Sequence, residues 1–216
     1  MWTKHLQENG IKVAHVVASS KFAQKCEDAG VDAVVAEGFE AGGHNGREET
    51  TTMVLIPQVK RALKNTPLLA AGGIGTGDGM LAAMTLGADG VQIGSRFALS
   101  EESSASDEFK RLCISLSEGD TMLSLKKVSP TRLIKNEFFK WVTEAEDRGA
   151  SAEEIQEILG RGRAKKGIFE GNLVEGELEI GQISSLIEDL PPVVDIVDEI
   201  IAEFNKKTKE ISNLEF

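Results

Sequence analysis

Four short, mostly apolar runs, the first of them β-branched and each followed by an amphipathic stretch, constrain this chain more than any other feature. They are Ile11 to Val17, Val31 to Ala36, Pro67 to Ala71 and Val91 to Gly94. Runs that are apolar on both faces and alternate with helices belong to a parallel sheet covered by those helices. The helical stretches carry their own punctuation. Ser20 is placed to cap a helix through Phe22, Ala23 and Cys26, with Gly30 as its left-handed stop. Thr51-Thr52 opens a helix with Val54, Leu55, Val59 and Leu63 on one side. Further helices are predicted from Asp78 to Leu86 and around Asp107 to Leu116. The expected fold is therefore α/β, with four strand-helix units in residues 1–119.

From residue 120 the pattern changes. Ser129-Pro130 reads as a cap and first-turn proline opening a helix to Gly149. Ser151-Ala152-Glu153-Glu154 reads as a capping box. Arg161 to Gly181, rich in glycine and charge, reads as a long functional loop or a poorly ordered segment. Pro191-Pro192 opens a last amphipathic helix through Val193, Ile196, Val197, Ile200, Ile201 and Phe204. Residues 120–216 are thus expected to form a helical appendage without strands.

Composition excludes several classes. With a net charge of -11, the chain offers no basic face for nucleic acid or an anionic membrane. No stretch approaches the roughly 18 apolar residues of a membrane helix. The amino end lacks a signal-peptide core, so a cytoplasmic location is expected. Cys26 and Cys113 show no metal-like spacing and read as small buried residues.

The residues that carry chemistry cluster where the apolar runs end. Glu40-Ala41-Gly42-Gly43-His44-Asn45-Gly46 places a histidine between glycines after the second run, where it has no packing role and can exchange a proton near neutral pH. Gly72-Gly73-Ile74-Gly75-Thr76-Gly77 closes the third run and opens a helix, an arrangement whose bare N–H groups suit a phosphate. Gly94-Ser95-Arg96 closes the fourth. Three glycine turns after three successive strands read as one active site. Glu37 and Glu40 flank the His44 loop and either orient it or are solvated. His15 reads as a satisfied barrel or core histidine, buried by its strand, and His5 as a solvated one. Lys126, Lys127, Arg132, Arg161, Arg163, Lys165 and Lys166 form the basic clusters; they read as a solvated face rather than the alternative, recognition of a cofactor or carrier phosphate.

Ala36-Glu37-Gly38-Phe39-Glu40-Ala41-Gly42-Gly43-His44, Ala70-Ala71-Gly72-Gly73-Ile74 and Gly90-Val91-Gln92-Ile93-Gly94-Ser95-Arg96-Phe97 together resemble the nitronate monooxygenase (2-nitropropane dioxygenase) family and its relatives, the flavin-dependent enoyl-acyl-carrier-protein reductases. The likeness extends to Gly176-Glu177-Leu178-Glu179-Ile180-Gly181-Gln182. It implies a TIM barrel holding FMN, with His44 as the proton-transfer residue. Glu37, Gly42, Gly43, Gly72, Gly73, Ile74, Gln92, Gly94 and Ser95 are implied as cofactor-binding. Proteins of the family extend further at the amino end, where the first half of the barrel resides. The resemblance therefore implies a half-barrel of the last four strand-helix units, in a truncated product that pairs with a missing half or a second copy.

Two reactions fit the resemblance. One is oxidation of an alkyl nitronate with O2 through FMN; the other is reduction of an enoyl thioester with NADH or NADPH as electron donor. The alternative of another class is an inactive, phosphate-binding half-barrel.

Overall fold

A computed structural model describes residues 2–214 of the chain. In order, its elements are α1 (Trp2–Glu8), β1 (Ala14–Val17), α2 (Ser20–Asp28), β2 (Ala33–Glu37), β3 (Gly43–His44), α3 (Thr52–Ala62), β4 (Leu68–Ala71), α4 (Gly77–Thr85) and β5 (Gly90–Val91). There follow α5 (Ser95–Ala98), α6 (Asp107–Cys113), β6 (Thr121–Ser124), β7 (Thr131–Ile134), α7 (Glu137–Asp147), α8 (Ala152–Leu159) and α9 (Val193–Ser212). The chain forms two compact units, where the sequence suggested one boundary after residue 119. The first takes the residues up to 40, 48–93 and those from 198 on; the second takes 41–47 and 94–197. No described helix is long and apolar enough to cross a membrane.

The first unit is a four-stranded parallel sheet in the order β1-β2-β4-β5. Register is set by pairs such as Val34 with Leu68 and Ala70 with Val91. β2 is buried through Val34, Val35 and Ala36, as expected of a central parallel strand. Leu55, Ile56 and Val59 of α3 pack on Val34, Ala36, Leu68 and Ala70. Val54, expected on that buried side, is exposed. Carboxylates tie down the amino ends of the strands. Asp32 accepts from Val13 N–H at 2.8 Å and Asp89 from Leu68 N–H at 2.9 Å. Glu27 accepts from the N–H groups of Lys64, Asn65 and Thr66, holding the turn into β4. The opposite, carboxyl ends are left to the glycine turns.

His15 is exposed on β1, not a buried core histidine. Among the described residues β1 is an edge strand, paired on one side only, and Ala14, His15 and Val16 are all exposed.

The second unit overturns the expectation of a wholly helical appendage. Three antiparallel strands run in the order β3-β7-β6, with Gly43 opposite Arg132 and His44 opposite Thr131. The helix expected from Ser129-Pro130 starts only at Glu137, where the Asn136 side chain accepts from Phe139 N–H at 3.0 Å. The reason lies in Arg132, which is 1% exposed and donates from Nε to the Ala41 carbonyl at 3.2 Å. That bond ties the Thr131–Ile134 backbone to the His44 loop as a strand. The capping box at Ser151 and Glu154 forms as the sequence predicts.

Arg161 to Gly181 is folded rather than loose. A π-helical turn spans Lys165–Phe169, and Leu178 and Ile180 enter the apolar core with Leu99, Phe109 and Ile134. A second core gathers Leu125, Leu133, Phe138, Val142 and Ile155.

Candidate active site

In the first unit the site residues stand at the carboxyl ends of the parallel strands. β4 ends at Ala71, and Gly72 and Gly73 then take φ values of 92° and 72°. Both lie in the left-handed region that a side chain resists. A β-carbon on Gly72 would stand 2.7 Å from the Gly38 carbonyl oxygen, so the turns after β2 and β4 touch. Thr52 braces them: its hydroxyl lies 2.8 Å from the Gly72 carbonyl and 2.9 Å from Glu40 Oε2, and its N–H donates to the same carboxylate at 2.9 Å. Glu40 thereby supplies the acceptor at the start of α3 that Thr51, which makes no side-chain cap bond, does not.

The consequence is a bare row of donors. Among the described residues, the N–H groups of Gly72, Gly73 and Ile74 have no acceptor. Such N–H groups, ahead of the helix that begins at Gly77, suit an anion. Consecutive bare N–H groups ahead of a helix start are what a bound phosphate needs, so these residues fit the phosphate of a mononucleotide. Glu37 ends β2 and is half-buried; Gln92 follows β5, is exposed, and donates its N–H to the Ala70 carbonyl at 2.8 Å. Glu37, Gly72, Gly73, Ile74 and Gln92 thus share one end of one sheet.

In the second unit, Gly42, Gly43 and His44 form β3 and its approach, and Gly94-Ser95 opens the short helix α5. Both groups meet the same segment. The Ser95 hydroxyl accepts from Gly181 N–H at 3.0 Å, and Gly42 lies against the backbone of Ile180 and Gly181 so closely that no β-carbon fits. His44 is exposed. Asn45 pins the loop, donating from its amide to the carbonyls of Ala41 and Gly43 at 2.9 and 3.1 Å.

From the sequence, Glu177 and Glu179 have no site role of their own, yet the structure brings Glu179 to His44 and Glu177 beside Glu179. Glu177 and Glu179 alternate with Leu178 and Ile180 on an extended segment that bridges to Leu133 of β7. Glu179 faces His44. Burial pushes its carboxyl up, and the His44 charge pulls the other way. Burial, then the neighbouring Glu179, raise Glu177 to about 7, against a smaller opposing pull from Arg163. The signal was the polar-apolar alternation of Glu177-Leu178-Glu179-Ile180, hidden inside a glycine-rich stretch. An exposed imidazole beside the Glu179 carboxyl is equipped for general acid-base work.

The basic cluster is not a uniformly solvated face. Arg132 is buried, and Lys127 donates to the Ala150 carbonyl at 2.6 Å. Arg163 donates to the carbonyls of Ile158, Leu159 and Glu175 and lies 4.6 Å from the Phe138 ring centre. Burial pushes the Cys113 thiol up to about 12, the mark of an inert core residue. Among the described residues no cluster could hold a metal ion.

The first unit is an α/β structure whose candidate site lies at the carboxyl ends of parallel strands, the usual place in such folds. The family model for nitronate monooxygenase matches residues 1–203, and the chain belongs to that family. It is 34% identical over 211 residues to a probable nitronate monooxygenase of Staphylococcus saprophyticus, covering 93% of this chain and 59% of the relative. It is 30% identical over 246 residues to a hydroxy-methyl-oxo-octahydro-indene carboxyl-CoA dehydrogenase of Rhodococcus jostii, covering 97% of this chain and 69% of the relative. Among solved structures, FabK from Thermotoga maritima superposes with a TM-score of 0.90 at 39% identity, over 97% of this chain and 66% of FabK. The chain thus spans roughly three fifths to two thirds of these proteins. The names of the two enzymes are those of oxidoreductases, and the family is one of oxidoreductases.

Proposed function

We propose that this chain is the carboxyl-terminal part of an FMN-dependent oxidoreductase that oxidises alkyl nitronates with O2. The observation that carries the reading is the turn at Gly72-Gly73, whose left-handed backbone leaves consecutive N–H groups without an acceptor among the described residues. Gly72, Gly73 and Ile74 of the first unit bind the cofactor phosphate, with Glu37 and Gln92 at the same sheet end. Gly42, Gly43, Gly94 and Ser95 are the second unit's cofactor-binding residues. His44 is the proton-transfer residue: with a neutral nitroalkane it takes the proton from the carbon beside the nitro group and so yields the nitronate that is oxidised, while the Glu179 carboxyl lies beside the imidazole. When bound, FMN supplies the electron-accepting chemistry. In this reading β1 and β5 are the outer strands of half a TIM barrel, completed by further strands of the protein or of a second copy, and the protein is cytoplasmic.

The likeness to FabK favours a second reading, in which NADH or NADPH is the electron donor and an enoyl thioester is reduced, with His44 again moving the proton. The carboxyl-CoA dehydrogenase relative is in keeping with a thioester substrate.

Oxygen uptake with propyl nitronate, run beside NAD(P)H-dependent reduction of crotonyl thioester, separates the two. His44→Ala lowers the rate with the neutral nitroalkane, or with the enoyl thioester, by about 10²–10⁴-fold. Purified protein that shows no flavin absorbance even after FMN is added defeats both readings, and leaves an inactive phosphate-binding half-barrel.

A further inference from the structure

A second candidate site lies wholly within the second unit. A cleft of about 280 Å³ is lined by Trp141, Leu159, Arg161, Arg163, Lys166 and Glu175. Three cations against one carboxylate make it locally positive on a chain whose net charge is -11. Arg163 is fixed, because all three guanidinium nitrogens donate to carbonyls and the group stacks on Phe138. It supplies charge without being free to move. Lys166 is paired with Glu175, and Arg161 is exposed. Trp141 is 38% exposed and gives the cleft an aromatic wall.

The chemistry of that lining is selective. A guanidinium and an ammonium recognise a phosphomonoester, Arg161 in a bidentate fashion. An indole face recognises a flat ring, which also stacks on Arg planes. The carboxylate of Glu175 repels a ligand that is anionic throughout, but accepts from an exocyclic amine. The volume lies just below the roughly 300 to 1,000 Å³ of ligand pockets, so the open cleft takes one end of a nucleotide ligand and not a whole dinucleotide. We propose that this cleft binds the phosphorylated end of an adenine nucleotide, base against Trp141 and phosphomonoester on Arg161 and Lys166. That end is common to a phosphorylated nicotinamide coenzyme and to a coenzyme A thioester. The site needs neither flavin nor His44.

The test uses intrinsic fluorescence, since the chain has two tryptophans and Trp2→Phe leaves Trp141 as the sole indole. Titration with adenosine 2′,5′-bisphosphate and with adenosine 3′,5′-bisphosphate is expected to quench Trp141 saturably. The tighter of the two identifies the nicotinamide or the coenzyme A source. Arg161→Ala is expected to weaken binding about 10-fold or more, and unphosphorylated adenosine and inorganic phosphate each to bind at least about 10-fold more weakly than the bisphosphate. Arg161 is exposed, so its removal leaves the fold intact, which circular dichroism confirms. Absence of saturable quenching by both bisphosphates overturns the proposal. So does unchanged affinity in Arg161→Ala, or inorganic phosphate binding as tightly as the nucleotide.

Discussion

The Glu179 carboxylate lies against the α-carbon of Gly43, the residue before His44: a β-carbon built on Gly43 would stand 2.5 Å from Glu179 Oε2. Gly43 and Glu179 are neighbours along β7, opposite Arg132 and Leu133 respectively. Backbone contact therefore brings the acid to the histidine, and the glycine is what lets it approach.

Gly43→Ala meets two obstacles, the carboxylate and a φ of 73°. The expected cost is about 1–3 kcal/mol in urea unfolding, most of it from the backbone. Glu179→Ala in the same chain clears the space but not the dihedral, so the double variant recovers only part of the loss. Full recovery would show that the crowding, and not the left-handed backbone, was the obstacle.

Glu177 sets a pH dependence. Its carboxyl is raised from 4.5 to about 7 in the folded protein, so between those values the native state holds more protons than the unfolded one. Stability therefore declines as pH rises through that window, and Glu179, raised in the same sense, steepens the decline. Thermal melts in steps across the window are expected to show a falling Tm that flattens in Glu177→Gln. A native Tm that climbs with pH there would contradict the assignment.

Glu27 acts in the opposite sense. Hydrogen bonds from the backbone N–H groups of Asn65 and Thr66, with a smaller one from Lys64, hold its carboxyl down at about 2. Its stabilisation is present above the ordinary value of 4.5 and is lost as pH falls toward about 2. Glu27→Gln is expected to lower Tm near neutral pH and to narrow the gap to native protein in acid. Amide exchange at Lys64, Asn65 and Thr66 should quicken in the variant.

Arg132→Lys keeps the charge and loses the fork. The expected loss is about 2–4 kcal/mol, because a buried guanidinium bonded to the Ala41 carbonyl is replaced by a point charge. Faster exchange at Asn45 N–H, which donates to the Pro130 carbonyl on the same side of the loop, reports the loosening directly.

How much of this could be read from residues alone depended on pattern length. The parallel strands announced themselves because Val34, Val35 and Ala36, or Leu68 and Ala70, are apolar without interruption. β7 did not. Thr131-Arg132-Leu133-Ile134 follows Ser-Pro and contains an arginine, so local chemistry spoke for a helix start while a distant carbonyl, that of Ala41, decided for a strand. His44 was legible from its glycines. Glu177 and Glu179 were not, because their burial comes from Leu178 and Ile180 docking into a core built by residues far away in the chain. His15 misled for the converse reason: a β-branched neighbourhood suggested burial, and an edge position denied it.

Glu40 has one more implication. Its carboxylate receives Thr52, while its methylene carbons lie beneath Gly73, 3.0 Å from where a side chain there would begin. Three positions scattered over the chain are mechanically one part. Natural variants should change them in concert: a bulkier residue in the turn would demand a shorter acid, and a shorter acid would need a different opening to the helix.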